Sequence, residues 1–371
     1  MEQKKILIVS RSFYPENSPR SFRATELAKE FCREGHQVTV YTFRKEQHHA
    51  PLERAFGMVV KDLGKPIFKT ISLAPGSKLS FLVRRVLNRV LLMLFEYPDI
   101  ELMFKVKKVL KNESGYDLLV SNAVPHPVHW GVAAARSAKH PIATTWIADC
   151  GDGYMLEKMH DTFNKLFYFK YFEKKFCRKA DYISIPTLSV KGNYYPEFHS
   201  KIIEIPQGFK FEDVEVVANA PANKVPTFAF AGVFMKGTRN PSSFVECLLK
   251  SGRDFKFIVY TQNSSLLGPY LPALKDKIEI RNYVPRLQLL KELSQMDFVV
   301  NIGYDPKSHV PSKLIDYSLT GRPILCFNGD DLDENMVHEF LDGNYNRAFQ
   351  YPDLDKYRIE NVCKAFLNKC Q

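Results

Sequence analysis

Between Val310 and Leu325 the chain reads VPSKLIDYSLTGRPIL, and these residue types suit the capture of an anion. Pro311 fits the first turn of a helix, where its missing amide hydrogen costs nothing, and Gly321 fits the stop. The unpaired N–H groups of that first turn attract negative charge, and Ser312 and Lys313 add a hydroxyl and a cation. Asp316 falls one turn below Ser312 on the same face, where its carboxylate could accept hydrogen bonds from a ribose diol while the helix mouth holds phosphates. An amphipathic helix with a solvated aspartate has the same spacing, so the motif alone leaves both readings open.

The frame that would position these residues is legible as alternation. Lys4 to Ser10 (KKILIVS) is a continuous apolar run, the mark of a parallel strand buried on both faces. A polar loop, a helical pattern from Ser21 to Glu34 stopped by Gly35, and the strand QVTVYT follow. Strands at Tyr116 to Ser121, Pro141 to Ala148, Asp181 to Ile185 and Lys201 to Ile205 continue the series. Glu212 to Pro226 is rich in turn residues and reads as a linker. A second series opens at Thr227 (TFAFAG), with strands at Phe255 to Tyr260, Ile278 to Arg281, Phe298 to Ile302 and Pro323 to Phe327 and helices between them. The expected fold is α/β, with two Rossmann-like doubly wound domains. They take up residues 1–210 and 227–371, joined by 211–226, with a cleft between them and a last helix free to pack back on the first domain.

The 371 residues exceed one ordinary core, and the 45% hydrophobic content excludes a disordered chain. No apolar stretch is long enough for a membrane span, and the N-terminus reads as a strand and not a signal peptide. Seven scattered cysteines without a CxxC pair disfavour zinc and disulfides, and fit a reducing cytoplasm. The net charge of +11 is one-sided: 33 lysines and arginines face 21 acids up to residue 210, against 19 and 20 beyond it. Such a field suits a phosphorylated substrate, an acidic lipid surface or nucleic acid, and a merely solubilising surface equally.

PSKLIDYSLTGRPIL resembles the nucleotide-sugar signature of GT-B glycosyltransferases, above all family 4. Other segments agree in order: KKILIVSRSFYP with Arg23 and Glu26-Leu27-Ala28, GHQVTVYT, KIIEIPQGF, and FAGVFMKGTRNP. The resemblance implies transfer of a hexosyl group from a nucleotide-sugar, UDP or GDP type, to a glycan or lipid-linked acceptor in surface polysaccharide or glycoconjugate synthesis. It further implies retention at the anomeric carbon and no metal or other cofactor. Asp316 would bind the donor ribose. Lys236 and Arg239 would meet the diphosphate as it leaves. Pro311, Ser312, Lys313, Asn282 and Tyr283 would complete the donor site. Asp149 would stand in the catalytic cleft. His126, placed after the preceding strand, is a catalytic candidate beside it or an ordinary packed or solvated ring. The opening loop, with Asn17, Ser18, Arg20 and Arg23, would meet acceptor or phosphate. It lacks the glycine pair common in the family near Asn17 and Ser18, a gap for Arg20 or Arg23 to fill. Many members also pair two acids eight positions apart; here Asp316 is the second, and the first position is Ser308.

Two basic, aromatic stretches, Phe81 to Phe95 and Phe163 to Lys179, read either as amphipathic helices on an anionic bilayer or as core-facing stripes with solvated cations. A peripheral position at the inner face of a membrane follows from the first. Rival functions are a nucleotide-sugar epimerase or hydrolase of the same fold, and a non-catalytic basic protein binding membrane or nucleic acid. No RNA-binding or helix-turn-helix signature supports nucleic acid as a partner.

Overall fold

In the computed structural model, which describes residues 2–69, 71, 78–156, 165–217, 222–303, 312–329 and 331–370, the chain divides into two units. Met1–Phe209 with Lys356–Gln371 form the first, and Lys210–Asp355 the second.

The first unit runs β1 (Lys5–Ser10), α1 (Pro19–Arg33), β2 (Gln37–Thr42), α2 (Glu46–Phe56), β3 (Val59–Asp62), α3 (Lys78–Phe95), α4 (Glu101–Leu110), β4 (Tyr116–Ala123), α5 (Pro127–Ala135), β5 (Ala143–Cys150), α6 (Phe169–Lys179), β6 (Tyr182–Ile185) and β7 (Ile202–Glu204). The seven strands lie parallel in the order β3-β2-β1-β4-β5-β6-β7. The apolar run of β1 is needed because both its faces are covered. Leu7 and Val9 enter the core made with α4, α5 and α6, whereas Ile6 and Ile8 enter the core made with α1 and the C-terminal helix. Ser18 caps α1, its hydroxyl accepting the Ser21 amide hydrogen, and Pro19 follows in the first turn.

The second unit runs β8 (Thr227–Ala231), α7 (Ser242–Lys250), β9 (Lys256–Tyr260), α8 (Leu271–Leu274), β10 (Ile278–Arg281), α9 (Arg286–Leu293), β11 (Phe298–Ile302), α10 (Ser312–Leu319), β12 (Ile324–Phe327) and α11 (Glu334–Leu341). Its five parallel strands are ordered β10-β9-β8-β11-β12. Phe228 and Phe230 of β8 fill the face under α7 and α11, Ala229 and Ala231 the face under α9 and α10. The chain then returns to the first unit as α12 (Ile359–Leu367), whose Phe366 meets Phe31 of α1 edge-on at 6.5 Å.

In both sheets the strand order reverses beside the first strand, between β1 and β4 and between β8 and β11. In open α/β sheets, crevices form at the carboxyl ends of such strands.

Candidate functional site

In the second unit a pocket of about 400 Å³ opens past the end of β8, lined by Gly232, Tyr260, Gln262, Tyr283, Lys313 and Asp316 among others. Tyr317 fixes α10 to this strand end: the Ala231 amide donates to its hydroxyl at 2.9 Å. Lys313, in the first turn of α10, is thereby turned inward. Its Nζ lies 3.9 Å from the centre of the Phe230 ring and 5.0 Å from that of Tyr317. It has neither a hydrogen bond nor an ion pair among the described residues. Burial pushes its ammonium down to about 7, and the like charge of Arg239 adds to the effect.

Arg239 closes a tight loop after β8, in which Met235 and Arg239 exchange backbone hydrogen bonds of 3.2 and 3.0 Å. It is half-buried, makes no ion pair among the described residues, and lies near enough to Lys313 to repel it. Lys236, on the same loop, is exposed. Gly303, just past β11, makes room for this loop. A Cβ there would come within 2.4 Å of the Thr238 carbonyl oxygen, and its φ of +86° is one that side chains disfavour. Gly303→Ala is therefore expected to cost about 2 kcal/mol and to push Arg239 out of place. Urea melts and activity should fall together, and an alanine variant of unchanged stability would refute the close approach.

Asp316 also lines the pocket, one turn along α10 from Ser312. Its Oδ1 accepts from Arg286 Nε and Nη2 at 2.9 and 2.5 Å. Burial raises the pKa of its carboxyl and Arg286 opposes the rise. Tyr283 lines the pocket from an exposed position; Asn282 is exposed and is not among the lining residues. Pro311 and Ser308 lie outside the described residues.

In the first unit, the predicted acceptor and phosphate residues separate into two groups. Arg23 and Asp149 find each other. Arg23 Nε and Nη2 donate to the two carboxylate oxygens of Asp149 at 2.5 and 2.7 Å, and the guanidinium also donates to the Ile205 and Pro206 carbonyls. Ser184 gives Asp149 a further hydrogen bond at 2.7 Å. Burial would raise the Asp149 pKa, but the charges of Arg23 and Arg20 with these hydrogen bonds hold it below the usual carboxylate range.

Arg20 is the other member. On the first turn of α1, its guanidinium lies over Gly151, where a Cβ would fall 1.0 Å from Nη2. It has no ion pair among the described residues. Its carbonyl oxygen accepts from Asn122 at the end of β4, which ties α1 to this strand. His126 is 2% exposed and tilts against Tyr154 at 4.7 Å. Neither ring nitrogen makes a hydrogen bond of normal geometry among the described residues. Burial, then the charges of His129, Lys165 and Arg20, hold its pKa well below 6.5, so it is neutral. His129 bonds Ser121 at 2.8 Å and is packed into the core. Asn17 is exposed, and Ser18 is the cap of α1.

The sequence reading missed Arg286, although it opens a helix directly after a strand, where cations toward a ligand are common. It also missed Gly151 and Gly303, which matter for the volume they leave empty.

A family model described as Glycosyltransferase Family 4 matches residues 22–212. The chain belongs to glycosyltransferase family 4. No curated protein matches it in sequence. Among solved structures, a glycosyltransferase from Rickettsia africae is 13% identical, with a TM-score of 0.56 over 100% of this chain and 95% of that one. HepE of Anabaena, in complex with UDP-glucose, is 10% identical with a TM-score of 0.54 over 99% of each chain. The lipopolysaccharide outer core galactosyltransferase WaaB is 12% identical with a TM-score of 0.58 over 98% of each. These likenesses span the whole chain and show the fold. The protein is a glycosyltransferase with the two Rossmann-like units of the GT-B architecture.

Proposed function

We propose that this family 4 enzyme binds a nucleotide-sugar in the pocket of its second unit and passes the hexosyl group, with retention, to a glycan or lipid-linked acceptor on the cytoplasmic side of the membrane. One observation carries the reading. Lys313 is a half-buried cation, its ammonium desolvated, with no counter-charge among the described residues, beside a second cation, on the wall of a cavity. An uncompensated ammonium held partly out of water is costly, and a diphosphate would supply the missing charge. The base would fit between Tyr283 and the β9 end, and Asp316 would receive the ribose. HepE, solved with UDP-glucose, makes UDP the first donor to test. In the transfer the bond from the anomeric carbon to the diphosphate breaks and a bond to the acceptor oxygen forms on the same face. The acceptor proton passes to the departing phosphate, whose charge Arg239, Lys236 and Lys313 stabilise, so the step needs no metal. A donor hydrolase or epimerase would instead turn over rapidly with donor alone.

Calorimetric titration with UDP and GDP tests the site. Because the free enzyme's Lys313 is pushed down to about 7, above that pH a diphosphate must bring a proton with it. At pH 8 the heat should depend on buffer ionisation and report uptake of close to one proton, with none below pH 6. The sign is opposite for the ligand-free fold. Its lysine binds its proton less tightly than the unfolded chain, so stability rises as pH climbs from about 7 toward 10. Lys313→Met should abolish the uptake and weaken binding. Tight binding without uptake would remove Lys313 from the site, and failure of every nucleoside diphosphate to bind would sink the proposal.

A further inference from the structure

Arginine is an unexpected choice for the place it takes at the start of α9. Arg286 is the first residue of that helix, where the backbone carries partial positive charge, the first turn holds no acid and Pro285 offers no capping side chain. A cation there works against the helix, so its place calls for a partner outside it. That partner is Asp316 on α10, and the two helices share an apolar core of Leu293, Leu314 and Tyr317.

The pair is one-sided. Arg286 Nε and Nη2 both converge on Oδ1, and Oδ2 accepts no hydrogen bond among the described residues. A fork set squarely on the carboxylate would have engaged both oxygens, as Arg23 does on Asp149. Here one oxygen is held and the other is left over, on a side chain that lines the pocket while Arg286 does not. The two side chains are 28% and 25% exposed, so the pair adds little to stability. It suits a second task. Burial among Tyr260, Leu289, Leu293 and Tyr317 pushes this carboxyl toward its neutral form, and a neutral or freely turning acid is a weak acceptor. The guanidinium keeps it charged and fixes its plane. Lys313, one turn earlier on α10, turns its ammonium to Phe230, and Arg281 is engaged with Tyr260 and Glu292. Neither hydrogen-bonds Asp316. We infer that Arg286 is a positioning residue of the donor site: it holds Oδ1 of Asp316 so that Oδ2 meets the ribose diol, and thereby selects ribonucleotide over deoxyribonucleotide donors. The inference rests on the donor reading above and adds to it a residue that acts without touching substrate.

Calorimetric titration of the full chain with UDP and with its 2′-deoxy and 3′-deoxy analogues tests it. In the parent, loss of the hydroxyl that meets Oδ2 should weaken binding about tenfold or more, the size expected for a hydrogen bond to a charged acceptor. In Arg286→Gln that penalty should shrink to about threefold or less, and in Arg286→Lys, which keeps the charge without the fork, it should fall between the two. Asp316→Asn should show the small penalty by itself, and adding Arg286→Gln to it should change nothing further. An arginine that only supports the fold would instead weaken all three ligands alike and leave the penalty intact. Thermal unfolding shows which variants are folded, and the lysine variant carries the comparison if the glutamine variant is not. Equal discrimination in the parent and in the Arg286 variants overturns the inference. So does a parent that binds UDP and both deoxy analogues equally, although the donor pocket then stands. A parent that binds no nucleoside diphosphate overturns the donor reading and takes this inference with it.

Discussion

Arg239→Ala is expected to lower kcat/KM about 100- to 1000-fold and to leave the unfolding midpoint where it is in the parent. The size follows from what the guanidinium is placed to do. It stands beside Lys313 on a loop held by paired backbone hydrogen bonds, with no carboxylate neutralising it among the described residues. A preorganised cation at a departing diphosphate is worth more in the transition state than in the ground state, because charge builds on the bridging oxygen as the bond breaks. Loss of one such group costs about 3–4 kcal/mol of activation free energy. The missing effect on stability has the same origin. A half-buried cation that pairs with none of the described residues contributes little to the fold, and its removal relieves repulsion on Lys313. The Lys313 pKa should therefore rise in the variant, and proton uptake on UDP binding at pH 8 should shrink. Arg239→Lys should recover only part of the rate, since a point charge replaces a planar fork. Turnover unchanged in Arg239→Ala would mean that the leaving group is stabilised elsewhere.

How much of this was readable beforehand depended on the kind of signal. Strands such as KILIVS and TFAFA announce themselves because both their faces are buried, so continuous apolar runs are obligatory. The short edge strand Val59–Asp62 did not, since Val59 is 49% exposed and only Val60 is fully covered. Helices α2 and α11 also went unread, Pro51 inside the first masking its pattern. In the candidate site, Lys313 and Asp316 could be singled out from a helix start and its spacing, because first-turn geometry is local, although that spacing suited an ordinary amphipathic helix equally. The partnership of Arg23 with Asp149 could not. These residues lie 126 positions apart, and only the parallel register that sets β5 near α1 brings them together.

That distant pair carries the second large effect, and it falls on stability. Asp149→Ala should destabilise the first unit by about 3–5 kcal/mol, lowering its unfolding midpoint by roughly 10 °C. The carboxylate is 1% exposed and the arginine 4%, so removing one charge strands the other in a medium that solvates it poorly. Two backbone carbonyls and Ser184 extend the network, and those carbonyls belong to the chain leaving β7. The pair therefore joins α1, β5 and the exit from the sheet. Because Asp149 has a depressed pKa, its contribution is present above the ordinary carboxylate range and is lost as pH falls through the folded value. Acid unfolding of the parent should show that loss, and the alanine variant should not. Replacing both partners, Arg23→Met with Asp149→Leu, should restore much of the stability, since an apolar pair leaves no orphaned charge. A catalytic base would behave otherwise. Its alanine variant would fold normally and lose activity, and no change at position 23 would compensate. Arg20, poised over Gly151 beside Asp149, would then be the cation left to face a ligand, and the double variant, folded but without the Asp149 charge nearby, is where its own contribution can be measured.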